Sequence, residues 1–184
     1  PYKLPENTNV KFIVIYHKSD KDCANKLYMY MKKLYKKPDG KMMTDIYGTS
    51  LYDFIRINFD LDVNNSIQFD DELNPYEAIH KFIDKTDIDL AKYQYVAIYL
   101  SPFKKDEPDP AKNRIYYKVK KTLLNHYITS QVIYKEHLFE KKFKSYYYAN
   151  IAAAILAKVG GIPWRLESTV KNELIVGVGA FKSK

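Results

Sequence analysis

Two short runs constrain the fold most. Residues 10–16, VKFIVIY, and residues 95–100, YVAIYL, are apolar almost from end to end and rich in β-branched and aromatic side chains. A strand with water on one face alternates apolar with polar residues. An unbroken run is a strand covered on both faces, and sheets covered on both faces are mainly parallel, with helices in the crossovers. The intervening segments suit that role. After the first run, Ala24, Leu27, Met31 and Leu34 recur at helical spacing, in a segment expected to run from a Ser19 cap to Lys37, where Pro38, Asp39 and Gly40 stop it. Residues 51–59 read equally as a strand or a short helix. Asn74-Pro75 opens another helix through Ile79 and Phe82 to Ile83.

After the second run comes the loop over residues 101–112, SPFKKDEPDPAK, and then a helix over 114–127 with Ile115, Val119 and Leu123 as its core stripe. Residues 130–134 predict a short strand. Beyond a basic linker, a small-residue helix over 147–159 ends at Gly160-Gly161, and residues 173–178, ELIVGV, predict a last buried strand. The expected fold class is therefore α/β, a Rossmann-like, mostly parallel sheet flanked by helices. Ligands of such sheets sit beyond the C-terminal ends of the strands.

Charge narrows the function. The chain has 30 basic and 22 acidic side chains, and the whole excess of eight lies between Lys112 and Lys158, where ten Lys or Arg face two acids, Glu136 and Glu140. A localised basic region on an otherwise neutral chain is the footprint expected for a polyanion, although a solvated lysine face has the same composition. The single Cys23 excludes an internal disulfide framework and a multi-thiolate zinc site. That usage fits a reducing compartment, so the cytoplasm is the expected location. No apolar run is long enough to span a membrane, and no membrane partner is expected.

Within the basic region, Tyr116 and Lys120 are four apart and share a helical face beside the core stripe. A phenol and an ammonium side by side can both donate to one terminal phosphate. Gln131 lies on the next strand, where its amide could reach the same point. Asn150 and Lys158 lie on the later helix, with alanines between them that let an anion approach the backbone. Taken singly, each of these residues has a structural explanation.

The stretch 150–166, NIAAAILAKVGGIPWRL, resembles the helix and glycine turn at the junction of the MID and PIWI domains of Argonaute proteins, with Lys158 to Trp164 the most specific portion. Tyr116, Lys120, Gln131, Asn150 and Lys158 fall in the order of that family's 5'-phosphate pocket. The resemblance implies that Tyr116 and Lys120 bind the terminal phosphate of a guide strand, that Gln131 supports it, and that Lys158 contacts the first and third phosphates. It also implies that Asn150 meets the backbone near the second nucleotide. The loop that begins with Ser101, Pro102, Phe103, Lys104 and Lys105 would then face the first base, on which Tyr116 would also stack. The implied division is a MID-like domain over residues 1–166 and the first strand of a PIWI-like domain over residues 167–184. The implied partners are a guide RNA or DNA with a 5'-phosphate, the remainder of the PIWI domain and an effector protein.

Two positions depart from the family pattern. Tyr147 replaces a small polar residue often found three positions before the pocket asparagine, which crowds that edge. Gly179 stands where slicing members carry their first catalytic Asp, and a glycine holds no metal. The expectation is a non-catalytic chain, similar to short, inactive prokaryotic Argonautes. In many prokaryotic relatives a divalent cation such as magnesium bridges the phosphate and the C-terminal carboxylate, a ligand that a chain ending at Lys184 would lack.

Other signals carry less. Asp60, Asp62 and Asn64 resemble the start of a calcium loop, but Asn65 and Asp71 occupy its glycine and glutamate positions. Gly177 and Gly179 lack the third glycine of a dinucleotide motif, and His17, His80, His126 and His137 have no metal-ligand spacing. A basic interaction domain docking an acidic protein is the alternative to guide binding.

Overall fold

The computed structural model describes residues 3–6, 9–31, 55–57, 59–136 and 144–164. Among the described residues, five strands form one sheet: β1 (Val10–His17), β2 (Phe59–Asp60), β3 (Ser66–Phe69), β4 (Gln94–Ser101) and β5 (Thr129–Tyr134). The helices with described bounds are α1 (Lys21–Met31), α2 (Pro75–Lys85), α3 (Pro110–Asn125) and α4 (Lys144–Lys158). Every pairing between these strands is parallel. β1 is central, with β4 and then β5 on one side. On its other side β2 pairs with its first residues and β3 with its last. The α/β fold with a mostly parallel, helix-flanked sheet is thus the observed one.

Both central runs are buried for the reason their composition implies. Phe12 and Val14 of β1 and Val96, Ile98 and Leu100 of β4 pack under α1 and α4. Their alternates, Ile13, Ile15, Ala97 and Tyr99, pack under α2 and α3. Ile115, Val119 and Leu123 form the buried stripe of α3, as the spacing predicts.

Several boundaries differ. Ser19 does not cap α1: β1 extends to His17, whose imidazole accepts from the Ser19 N–H at 3.3 Å, and a short 3-10 turn precedes the helix. α3 begins four residues early, because Asp109 accepts from the Ala111 N–H at 2.9 Å and Pro110 takes the first helical position. β3 lies in a segment whose sequence predicts no strand. Beside it Asp62, one of the residues that resemble the start of a calcium loop, caps a 3-10 turn by accepting from the Asn64 N–H at 2.9 Å. The segment expected to continue α1 to Lys37, most of residues 51–59 and the strand over residues 173–178 lie outside the described residues, as does Gly179. No helix among the described residues is long and apolar enough to cross a membrane.

α4 ends as its glycines dictate. The Gly161 N–H bonds to the Leu156 carbonyl at 2.9 Å and the Gly160 N–H to the Ala157 carbonyl at 3.2 Å, with Gly160 at φ 88°. This is a Schellman turn, whose left-handed residue glycine adopts without strain. The chain then runs to Ile162, which bridges antiparallel to Lys3.

Candidate anion-binding groove

β5 is bonded only to β4 among the described residues, and α3 and α4 cover opposite faces of the sheet beside it. Its outer edge therefore lies in a groove between two helices. Gln131 stands on that edge with its side chain folded along it. The amide Nε2 donates to the Val132 carbonyl at 2.9 Å, and Oε1 accepts from Lys158 Nζ at 2.9 Å. One side chain thus covers a strand-edge carbonyl and holds an ammonium in place.

Lys158 closes α4, and its own carbonyl accepts from Gln94 Nε2 at 3.4 Å. Burial pushes the Lys158 amine below its ordinary value of 10.5, and Lys120 pushes it the same way. Lys120 reaches this point from α3, on the opposite face of the sheet, with its Nζ 5.9 Å from the centroid of the Tyr116 ring. Among the described residues neither amine has a carboxylate partner. Two nearby cations without a counter-charge repel each other, and a bound anion would offset that repulsion and favour the charged form of Lys158.

Along the same edge, toward the C-terminal ends of the strands, lies a cavity of about 220 Å³. Lys105, Gln131, Tyr134, Tyr147 and Asn150 line it. Burial raises the Tyr147 hydroxyl to about 12, partly offset by a hydrogen bond with the Tyr134 backbone. The Tyr134 hydroxyl is raised as well, first by burial and next by Tyr116. Glu136 Oε1 accepts from the Lys105 N–H at 3.3 Å and fastens the loop after β4 to the end of β5.

The sequence-derived residues are therefore gathered at one edge. Gln131 and Lys158 are hydrogen bonded, Lys120 acts on Lys158, and Tyr116 adjoins Lys120. Asn150 and Lys105 share the cavity with Gln131. The loop divides. Ser101 and Phe103 are buried at 5% and 8% exposure, and the Ser101 hydroxyl is tied to the Phe103 backbone at 3.2 and 3.3 Å. Pro102 is half-buried, while Lys104 and Lys105 are exposed. Nothing in the sequence singles out Tyr134, and Tyr147 stands out only as a crowding residue. In a chain with 18 tyrosines no spacing marks these two.

The groove does not fit a magnesium ion on its own. That ion requires oxygen ligands, and here the Gln131 amide oxygen is occupied by an ammonium in a site lined with further amines. Among the described residues no group of three His, Cys, Asp or Glu could hold a metal.

Residues 108–184 match the Piwi domain family, a span that begins just before α3 and takes in β5 and α4. The match supports the Argonaute/Piwi assignment for that part of the chain, less than half of its length. It also starts well inside the segment that the resemblance assigns to a MID-like domain. No curated protein matches the chain significantly.

Proposed function

We propose that the groove beside β5 anchors the 5'-phosphorylated end of a guide nucleic acid, as a MID-type module of an Argonaute-like protein, and performs no cleavage itself. The observation that carries the reading is that Lys158 of one helix is held against the β5 edge by Gln131 at 2.9 Å, with Lys120 of the helix on the opposite face acting on it and no carboxylate partner for either amine among the described residues. A terminal phosphate has the charge and the acceptor oxygens to pair with both. Tyr116 beside Lys120 offers a hydroxyl donor, and the adjoining cavity gives the first nucleotide room beside Asn150 and Lys105. Gln131 acts chiefly through Lys158, since both ends of its amide are already engaged. The Piwi match over residues 108–184 supports the reading, because members of that family work with nucleic-acid guides.

The test is a binding titration with single strands of one sequence, as RNA and as DNA, each with a 5'-phosphate or a 5'-hydroxyl. The expected result is a preference for the phosphorylated strand of at least tenfold, the value of about one charge-assisted hydrogen bond at roughly 1.5 kcal/mol. Equal affinity for the two ends would contradict the proposal and favour the rival reading, a basic surface that docks an acidic protein.

A further inference from the structure

Tyr127 and Arg56 are the non-glycine residues with positive φ among the described residues, and Tyr127 stands at a helix end. It follows α3 with φ at 58°, in the left-handed region. Its N–H bonds to the Leu124 carbonyl and the Ile128 N–H to the Leu123 carbonyl, both at 3.0 Å, so it occupies the position of a Schellman turn that glycine usually fills. The equivalent turn after α4 does have glycine, Gly160. A side chain in this conformation is strained, and here no packing offsets the strain, because Tyr127 is 80% exposed.

Its surroundings share one character. Tyr117, Lys121 and Leu124 recur at helical spacing on the outer face of α3, with Tyr117 65% and Leu124 49% exposed. Lys121 stands exposed between the two rings, Lys118 flanks the stripe on the α2 side with its Nζ 5.3 Å from the Tyr76 ring centroid, and α3 contains no acid. From Tyr117 to Tyr127 the stripe is roughly 15 Å long, room for a few nucleotides. Exposed rings interleaved with amines form the composition on which single strands lie, amines meeting phosphates and rings taking base faces. Tyr116 and Lys120 turn toward the groove, and the Tyr117 ring meets the Tyr116 ring edge-on at 4.9 Å, so the stripe starts beside the groove and leads away from it to Tyr127.

We propose that the outer face of α3 is a second nucleic-acid contact, a platform for a single-stranded stretch next to the anchored end, and that Tyr127 keeps its strained backbone because its ring stacks a base there. The inference rests on the proposed function for the class of ligand, and not on the terminal-phosphate site. The charge of the stripe selects this occupant over an apolar one.

The experiment compares the parent protein with Tyr127→Gly and with Tyr127→Asn, which also tolerates the left-handed region. Each is tested for thermal stability, for binding of a nucleoside 5'-monophosphate and for binding of a 5'-phosphorylated single strand. The expected pattern is a thermal midpoint higher by a few degrees for Tyr127→Gly, single-strand affinity lower by about fivefold or more in both variants, and unchanged affinity for the mononucleotide. Unchanged single-strand affinity overturns the proposal. So does a fall in the glycine variant's midpoint, which would show that the tyrosine serves the fold, or an equal loss for the mononucleotide, which would move Tyr127 into the terminal site. Parent protein that binds single strands without regard to their 5' end would contradict the anchoring function and leave this platform standing. Parent protein that binds no nucleic acid and captures acidic peptides instead would overturn both.

Discussion

If the proposed ligand binds at Lys158, one proton would link it to the fold. Its folded-state value lies below 10.5, because burial and Lys120 disfavour the charged form. The native protein therefore gives up this proton at lower pH than the unfolded chain does. In the window between the lowered value and 10.5 the unfolded state binds more protons, and Lys158 contributes stability that increases with pH. Phosphate reverses the balance, since an anion favours the charged amine. Binding of a 5'-phosphorylated strand should take up protons in that window, and affinity should fall as pH rises through it. Titration calorimetry in buffers of different ionisation enthalpy detects the uptake, which Lys158→Gln should abolish. Uptake that persists in that variant would assign the proton elsewhere. What the sequence shows of these side chains is their register: amines and a phenol on one helical face, then an amide on the next strand. The burial of Ser101 and Phe103 is not, because a proline-rich loop shows no periodicity from which to read inward and outward faces.

Two joints position the groove, and each has a measurable stability. At the end of α4, a Cβ on Gly161 would overlap Leu156 Cδ1 and stand 3.2 Å from the Leu156 carbonyl oxygen, and Leu156 is fully buried. Gly161→Ala should therefore cost about 1–3 kcal/mol in denaturant unfolding. Gly160→Ala, with open space around it but φ at 88°, should cost about 1–2 kcal/mol through the backbone alone. A neutral result at Gly161 would mean that the Leu156 turn is looser than its geometry. At the other end of the groove, Lys135 after β5 donates to both oxygens of the buried Asp20, at 3.1 and 3.3 Å. Removing the amine would leave a carboxylate at 8% side-chain exposure without it. Because the Lys135 side chain is itself 37% exposed, the expected loss for Lys135→Met is about 1–3 kcal/mol, below the full penalty of a buried pair. Elements of this kind divide sharply in legibility. The long apolar strands and the stripe of α3 can be read from periodicity alone. β3 cannot: four residues with one turn of alternation give too little pattern, and its place beside β1 depends on a partner distant in sequence. The early start of α3 is within reach of the sequence, since Asp109-Pro110 carries both signals of a helix beginning.

At the scale of the molecule, a sheet edge is an aggregation liability that proteins cover. Here, among the described residues, Gln131 caps one carbonyl of the β5 edge and two helices flank that edge from opposite faces of the sheet, which sets cations from both faces beside it. Affinity should fall steeply with salt, and losing Lys120 and Lys158 together should reduce the slope of log affinity against log salt by roughly 1–2, near 0.7 for each phosphate no longer neutralised. The most direct measurement is a double-mutant cycle of Lys120→Ala and Lys158→Ala, read as the ratio of affinities for 5'-phosphorylated and 5'-hydroxyl strands. Convergence on one phosphoryl group predicts that each substitution reduces the ratio and that their effects are coupled by about 0.5 kcal/mol or more. Independent effects that simply add, or a ratio untouched in the double variant, would show that the two amines serve different ends and that β5 has no terminal-phosphate site.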